Sequence, residues 1–341
     1  MYSAPSPSSS SSSLNLLPED MSGWTVQNVI STSVSLLQQQ NVSEPQSSVS
    51  HILSTALELS WKSGYRDVTT STYSDRTLSS LEAKRFQKML QRRLNHEPIQ
   101  YIVGQWDFLD YTIKILPPLL CPRPETEELV MKVLEDPATT ESPINILDVG
   151  CGTGIIGIAL ADQLLDATVD AIDIDPVAVE TALENSRLVL DESEQKCYNV
   201  MFCPAATYDP SSSSSSSSSS QQRNHSTKYD IVVSNPPYIP RHDMNTLEPD
   251  VISYESDGAL CGGDDGLDVI RTIIEKLPDW CHSGSVCWME VDTSHPKLIQ
   301  EMLAESHDDG DNDTNFLSPV LFHSSHMDMF GRDRFVKLVV R

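Results

Sequence analysis

Asn235-Pro236-Pro237-Tyr238 follows the apolar run Tyr229-Asp-Ile-Val-Val-Ser234 and joins residue types suited to a difficult nitrogen. The lone pair of an amide or aromatic amine is delocalised. Such a nitrogen attacks an electrophilic carbon only when it is held in line and bent partway towards a pyramid. Asn235 can accept one N–H through its side-chain oxygen, and the Pro236 carbonyl can accept the other. The proline rings fix the backbone that aims that carbonyl. Tyr238 offers a flat face on which a planar group can pack close to a cationic centre. Positioning and electrostatics then supply most of the rate, and no strong base is required. Asn-Pro-Pro is also a good turn sequence, so its meaning rests on what else shares its sheet.

A second motif lies upstream. Ile144-Asn-Ile-Leu-Asp148-Val-Gly150-Cys151-Gly152-Thr153-Gly154-Ile-Ile-Gly157 runs from a buried strand through a glycine turn into an apolar helix. The glycines allow positive φ and close approach of a ligand to the backbone. Gly152 to Gly157 also spells a dinucleotide fingerprint, with Asp173 roughly twenty residues beyond. Charge argues against a nicotinamide enzyme. Asp148, at the strand's end, would repel a pyrophosphate but suits the ammonium of the amino-acid part of S-adenosyl-L-methionine. Asp173 closes the next strand in Ala171-Ile-Asp-Ile-Asp175, where a carboxylate can accept both ribose hydroxyls of either ligand.

The elements around these motifs follow from periodicity. From Ile144 onward strands alternate with helical segments, as a doubly wound α/β sheet requires. The expected strands are Ile144–Val149, Thr168–Asp173, Val200–Cys203, Asp230–Ser234 and Ser285–Glu290, then a terminal pair near Val320–His323 and Phe335–Val340. In such a sheet the C-terminal strand edge, where both motifs fall, is where ligands bind. A helix is expected from Glu125 to about Leu134. Between Glu97 and Pro124, short β-like runs (Tyr101–Val103, Tyr111–Leu116) and prolines predict a linker with a hairpin. Trp24 to Leu94 reads as mostly helical, with Ser79 and Glu82 forming a capping box ahead of Phe86, Met89, Leu90 and Leu94. The expected organisation is a tail over 1–20, a helical domain over 21–95, the linker over 96–124 and the sheet domain over 125–341.

Composition narrows the functions. The chain has 341 residues and a formal net charge of −26, from 49 acidic and 23 basic side chains. That balance argues against an enzyme acting mainly on duplex nucleic acid. Seven cysteines without a CxxC pair predict free thiols and no structural zinc, and no metal site is expected. Apolar stretches are too short to cross a membrane. Met1 to Ser13 is rich in serine and proline, but no Lys or Arg precedes Lys62, so it is a poor import signal. A serine-rich insertion over about 209–227 and the acidic stretch His307 to Asn315 read as solvated loops. The second lacks the closing glutamate of a calcium loop.

Together these residues resemble a known family. Asn235-Pro-Pro-Tyr238 with Asp148-Val-Gly-Cys-Gly-Thr-Gly154 resembles the amino-group class I methyltransferases. Arg92-Arg-Leu-Asn-His-Glu-Pro98-Ile-Gln-Tyr101-Ile-Val-Gly104-Gln-Trp-Asp-Phe108, Cys121-Pro-Arg-Pro-Glu-Thr-Glu127, Gly262-Gly-Asp-Asp-Gly266-Leu-Asp and Asp328-Met-Phe-Gly331-Arg-Asp-Arg-Phe335 are similar to the HemK/PrmC family. Its members methylate the glutamine of the Gly-Gly-Gln motif in class I peptide chain release factors. The resemblance implies a Rossmann-like class I methyltransferase sheet, mostly parallel with an antiparallel terminal hairpin, behind a small N-terminal helical substrate-recognition domain. It implies that Gly150, Cys151, Gly152, Thr153, Gly154 and Asp173 hold S-adenosyl-L-methionine, with Asp148 and Asn235 beside it. Asn235, Pro236, Pro237 and Tyr238 would hold the glutamine amide, with the stretch from Arg123 through Glu125 to Thr126 lining the pocket. Phe202 to Tyr208 departs from the family pattern near the adenine, so no contact is carried over there.

An amino-methyltransferase of DNA or RNA bases is the alternative. Net charge and the lack of a recognisable base-reading domain count against it, and direct DNA binding is not expected. Lys84, Arg85, Lys88, Arg92 and Arg93 form a basic cluster that reads first as a solvated helix face, and secondly as a contact to a release factor or nearby RNA. The family implies a mitochondrion or other organelle, with the cytoplasm as alternative.

Overall fold

The computed structural model describes Pro18 and residues 20–140, 142–211, 228–305 and 318–341. Most of the serine-rich insertion, the acidic stretch from His307 and nearly all of the tail lie outside the described residues. The chain divides into two compact units, Met1–Gly104 and Gln105–Arg341.

The first unit is helical: α1 (Val26–Gln39), α2 (Pro45–Ala56), α3 (Trp61–Asp67), α4 (Ser71–Ser74), α5 (Ser80–Leu94) and α6 (Ile99–Val103). The capping box forms as expected. Ser79 Oγ accepts from the Glu82 N–H, and the Glu82 carboxylate accepts from the Ser79 N–H. Phe86 and Leu90 of α5 are buried, as are Ile52 and Leu53 of α2. The basic cluster does not survive as one surface. Arg93 is only 2% exposed, and donates to Ser48 Oγ, the Glu97 carbonyl and the Ser43 carbonyl. Arg92 pairs with Glu97 and Arg85 with Glu58. A helical spacing of charges cannot show which arginine turns inward to satisfy carbonyls in the connections between helices.

Tyr101–Val103, expected as β, is the helix α6. Its β-branched and aromatic residues carry strand propensity, but burial of Ile99, Tyr101 and Ile102 decides the outcome. Consequently the boundary between units falls at Gly104, inside the expected linker. The hairpin forms later, as β1 (Gln105–Phe108) and β2 (Tyr111–Lys114).

The second unit adds α7 (Pro124–Leu134), β3 (Ile144–Val149), α8 (Ile155–Gln163), β4 (Ala167–Asp173), α9 (Pro176–Val189), β5 (Tyr198–Phe202), β6 (Tyr229–Ser234), α10 (Pro249–Tyr254), α11 (Asp257–Leu260), α12 (Asp268–Trp280), β7 (Cys281–Glu290), α13 (His295–Glu305), β8 (Val320–Met327) and β9 (Asp333–Val340). Its seven-stranded sheet has the order β5-β4-β3-β6-β7-β9-β8. Strands β3 to β7 run parallel, and β9 pairs antiparallel with β7 and β8. This is the mostly parallel sheet with an antiparallel terminal hairpin that the resemblance implies. From β3 the chain winds outward through β4 to β5, then returns to β6 on the other side. The ends of β3 and β6 therefore flank the switch point, where a crevice must open. On one side Ile270, Ile273, Leu277 and Trp280 of α12, with Ile299 of α13, pack into a core with Leu147, Val232 and Met289. No helix among the described residues is long and apolar enough to cross a membrane.

Candidate functional site

Register alone brings the two motifs together. β3 and β6 pair in parallel with Val149 opposite Ser234, so Gly150 and Asn235 leave adjacent strands side by side. Ser234 Oγ donates to the Val149 carbonyl at 2.6 Å and ties the two exits to each other. A cavity of about 340 Å³ opens over them. Its wall includes Gly150, Cys151, Gly152, Thr153, Asp173, Asn235 and Pro237.

On the glycine side the backbone does most of the shaping. Gly150, Gly152 and Gly154 all have positive φ. At Gly150 and Gly152 a Cβ would meet nothing within 4 Å, so the loop leaves open space towards the cavity. Gly154 is glycine for another reason as well: a Cβ there would lie 2.6 Å from Ala182 Cβ and 2.7 Å from the Tyr198 hydroxyl. Asp173 receives the Gly152 N–H at 2.9 Å and the Asp175 N–H at 2.8 Å. Burial pushes its carboxyl up, and those N–H donors oppose the shift. Asn185, buried on α9, donates to the Thr153 carbonyl at 2.9 Å and steadies the loop from below. Ile172, Ile174, Ala178, Ala205 and Ala206 give the cavity an apolar flank. A slot with bare backbone, the carboxylates of Asp173 and Asp175 and an apolar wall fits a nucleoside carrying an amino-acid arm.

Asp148 departs from its expected role. Its side chain is fully buried and does not line the cavity. Oδ2 accepts from the Gly157 N–H at 3.0 Å, which helps satisfy the start of α8. Oδ1 has no partner. Desolvation, with the nearby Asp173 adding to it, pushes the carboxyl up to about 7. The charge argument placed Asp148 against a ligand's ammonium, but the strand's pleat turns the side chain beneath the loop.

On the Asn235 side, side chains do the shaping. Asn235 Nδ2 donates to Thr126 Oγ1 at 3.0 Å, and Thr126 Oγ1 donates to Glu290 Oε2 at 2.8 Å. Glu290 is fully buried at the end of β7. Its Oε1 accepts from the Tyr238 hydroxyl at 3.1 Å and from Arg334 at 3.2 Å. Arg334 also donates to the Tyr238 hydroxyl at 2.6 Å and lies 4.9 Å over the Tyr238 ring. Burial pushes the Glu290 carboxyl up, against the pull of Arg334. Burial likewise pushes the Tyr238 phenol up. One face of Tyr238 thus carries a guanidinium, and the ring packs against the core beside the turn instead of lining the cavity. Pro236 is buried.

The turn is braced from behind. Gly262 N–H donates to the Ile239 carbonyl, and the Arg241 N–H donates to the Gly263 carbonyl. A Cβ on Gly262 would fall 2.6 Å from the Pro237 carbonyl oxygen, and one on Gly266 2.3 Å from that of Tyr238. Gly262 and Gly266 are therefore glycine because backbone packs on backbone.

Two further expectations are corrected. Arg123 and Glu125 do not line the cavity. Arg123 pairs with the buried Glu255 at 2.8 Å, and Glu125 pairs with Arg332 at 2.8 Å. Both stand near the start of α7, but each faces an opposite charge from a distant segment. From the same stretch, Thr126 lines the cavity, together with Leu119, Leu120 and Pro122 from the expected linker. Thr126 falls in the stretch expected to line the pocket, whereas Glu290 and Arg334 carry no local signal for their roles, because the network joins three segments far apart in the chain. At the position where no adenine contact was assigned, Cys203, Pro204, Ala205 and Ala206 form part of the wall.

Comparison with known proteins agrees with this geometry. Residues 28–104 match the model of the PrmC N-terminal domain, and residues 123–255 match that of ribosomal protein L11 methyltransferase (PrmA). The chain is 34% identical over 239 residues to the human MTRF1L release factor glutamine methyltransferase, covering 68% of this chain and 66% of that relative. It is 31% identical over 248 residues to the release factor glutamine methyltransferase of Streptococcus pneumoniae, covering 70% of this chain and 80% of the relative. The corresponding enzyme of Geobacter sulfurreducens is 28% identical over 283 residues, covering 83% of this chain and 89% of the relative.

Proposed function

The chain belongs to the release factor glutamine methyltransferase family, and from that premise we propose how its residues divide the work. It is an S-adenosyl-L-methionine-dependent methyltransferase that modifies the side-chain amide nitrogen of a release factor glutamine. The observation that carries this reading is the facing of the Gly150–Gly154 loop and Asn235 across one cavity at the switch point of the sheet.

When bound, S-adenosyl-L-methionine supplies a methyl group on a positively charged sulfur. Gly150 and Gly152 let the backbone approach it, with Cys151 and Thr153 beside them and Gly154 closing the turn, and Asp173 receives ribose hydroxyls with the lone pairs its two backbone donors leave free. Asn235 accepts one N–H of the glutamine amide through Oδ1, and the Pro236 carbonyl accepts the other. This aims the nitrogen lone pair towards the methyl. Pro237 encloses the amide plane, and Tyr238 packs beside the turn. The nitrogen gains a methyl and loses a proton after transfer, so no side chain needs to act as a strong base. Holding a weak nucleophile in line replaces much of the activation barrier. Arg123 and Glu125 shape the approach only indirectly, through their ion pairs.

We assign the substrate as the Gly-Gly-Gln glutamine of a class I release factor, presented with help from the helical unit. An organellar compartment, which imaging of a tagged chain tests, is the accompanying reading. The direct experiment incubates the protein with S-adenosyl-L-methionine and candidate release factors and maps methylation by peptide mass spectrometry. Methyl gain on that glutamine, absent when it is replaced by alanine, is the expected result. Cofactor binding without methyl gain on any factor would redirect the assignment to a nucleic-acid base.

A further inference from the structure

An asparagine amide can be placed two ways round, and only one serves the reaction. With Oδ1 towards the cavity, Asn235 accepts an N–H from the incoming amide. With Nδ2 there, two donors would face each other. Nothing in the Asn-Pro-Pro-Tyr turn itself distinguishes the two.

The network behind it does. Arg334 cannot accept a hydrogen bond, and it donates both to Glu290 Oε1 and to the Tyr238 hydroxyl. The Tyr238 hydroxyl, having accepted from Arg334, donates to Glu290 Oε1. The Arg334 ion pair favours the charged carboxylate of Glu290 against its burial, and Oε2 then accepts the single proton of the Thr126 hydroxyl at 2.8 Å. The lone pairs of Thr126 are then all it offers Asn235, which must answer with Nδ2 at 3.0 Å. Oδ1 is left as the group Asn235 presents to the cavity. A flipped Asn235 would place its oxygen against a hydroxyl whose proton is already committed. It would also strip Glu290 Oε2 of its donor in a fully buried position.

We infer that Thr126 and Glu290 are positioning residues for methyl transfer. Through the chain Arg334–Glu290–Thr126 they fix the orientation of the Asn235 amide, so that its oxygen meets the glutamine N–H. The inference rests on the glutamine amide being the acceptor. A base with an exocyclic amino group would need the same oxygen, but the control below separates that case.

The test compares wild type with Thr126→Val, Thr126→Ser and Glu290→Gln. It uses full-length protein, a release factor carrying the Gly-Gly-Gln motif and the same factor with that glutamine replaced by alanine. Thr126→Val keeps the shape and loses the relay. Its kcat is expected to fall by roughly 10- to 100-fold, with KM for the release factor, cofactor affinity by calorimetry and melting temperature nearly unchanged. Thr126→Ser retains the hydroxyl and should recover most of kcat. Glu290→Gln can offer an N–H to Thr126, so that Thr126 donates to a flipped Asn235. It should lose kcat in the same way without sharing the Thr126 site, and it decides the matter if the valine variant folds poorly. A kcat near wild type in both Thr126→Val and Glu290→Gln overturns the inference. So does a loss that serine fails to restore, or one that falls on cofactor affinity rather than on kcat. A wild type that methylates no glutamine overturns the functional reading, and the inference with it. An active wild type with active variants overturns the inference alone.

Discussion

The glycine loop after β3 and the Asn235 turn after β6 face the same cavity, yet different kinds of contact hold them. The loop is built from consecutive residues, and its shape comes from backbone: positive φ at Gly150, Gly152 and Gly154, and the Gly152 amide that reaches Asp173 one strand away. The turn is built from side chains that start far apart. Asn235 leans on Thr126 of α7, Thr126 on Glu290 of β7, and Glu290 on Arg334 of β9. A loop that must admit a ligand close to its peptide groups gains from having few side chains. A turn that must orient one amide needs polar neighbours with fixed donor and acceptor roles. Binding and alignment are therefore separable here, and substitutions on the two sides should fail in different ways.

The largest separation is expected at Asn235. Asn235→Ala removes the acceptor for the substrate N–H and leaves the glycine loop intact. We expect kcat to fall by about 10³-fold, with cofactor affinity by calorimetry close to wild type. Single-turnover measurement at saturating cofactor isolates the effect. Turnover within tenfold of wild type would mean that alignment does not depend on this amide.

The mirror-image variant is Asp173→Ala. It removes both the proposed ribose contact and the acceptor of the Gly152 and Asp175 N–H groups. Cofactor affinity should weaken by roughly 10- to 100-fold, as loss of charged hydrogen bonds implies. Turnover at saturating cofactor should change much less. An unchanged calorimetric Kd would show that the ribose contact is misassigned.

The same contrast explains what could be read from the sequence. The glycine side was legible because its chemistry is contiguous. A strand, three glycines, a helix and an acid on the following strand specify a backbone shape without tertiary information. The strands were legible too, since those buried on both faces read as apolar runs. On the other side Asn235 to Tyr238 could be read from the residues themselves, and Arg123 to Thr126 only through the family resemblance. Thr126 lies in Pro-Arg-Pro-Glu-Thr-Glu, where the family resemblance implied pocket contact for all of Arg123 to Thr126 without separating the threonine from its charged neighbours. The sheet order sends those charges to Glu255 and Arg332 and turns the threonine inward. Asp148 was misplaced for the opposite reason. Its charge and position were plain, but the direction of one side chain depends on the pleat of β3 and the closeness of Gly157. The helix α6 was missed because its β-branched residues obey burial in the first unit rather than their own propensity.

A smaller effect, on stability rather than turnover, sharpens the claim that the loop is shaped by backbone. Gly154 has φ +81°, and a Cβ would press on Ala182 and on the Tyr198 hydroxyl. Gly154→Ala should cost about 1–3 kcal/mol from overpacking and lower the melting temperature, with cofactor affinity reduced as the loop shifts. Gly150→Ala meets no neighbour at the added carbon, so its loss should be smaller and come from φ alone. Equal melting temperatures for the two variants would remove steric packing as the reason for glycine at 154.

The smallest effect is a pH dependence under the glycine loop. Asp148 is fully buried with Oδ1 unpartnered, and desolvation raises its carboxyl from 3.8 to about 7. Between those two values the folded chain holds a proton that the unfolded chain has released. The stability this group contributes is therefore complete below 3.8 and is lost as pH rises through about 7. Asp148→Asn keeps an oxygen to accept the Gly157 N–H and removes the titration. Relative to wild type, the variant should gain melting temperature as the solution moves from acid to mildly alkaline pH. The measurement is a pair of thermal unfolding curves at pH values on either side of the shifted pKa. If the gap between variant and wild type is the same at both, the carboxylate under the loop is not carrying an uncompensated charge. An unmodified buried acid would then have to be stabilised by the glycine-loop amides themselves. That would make Asp148 a part of the backbone cradle rather than a strained support beneath it.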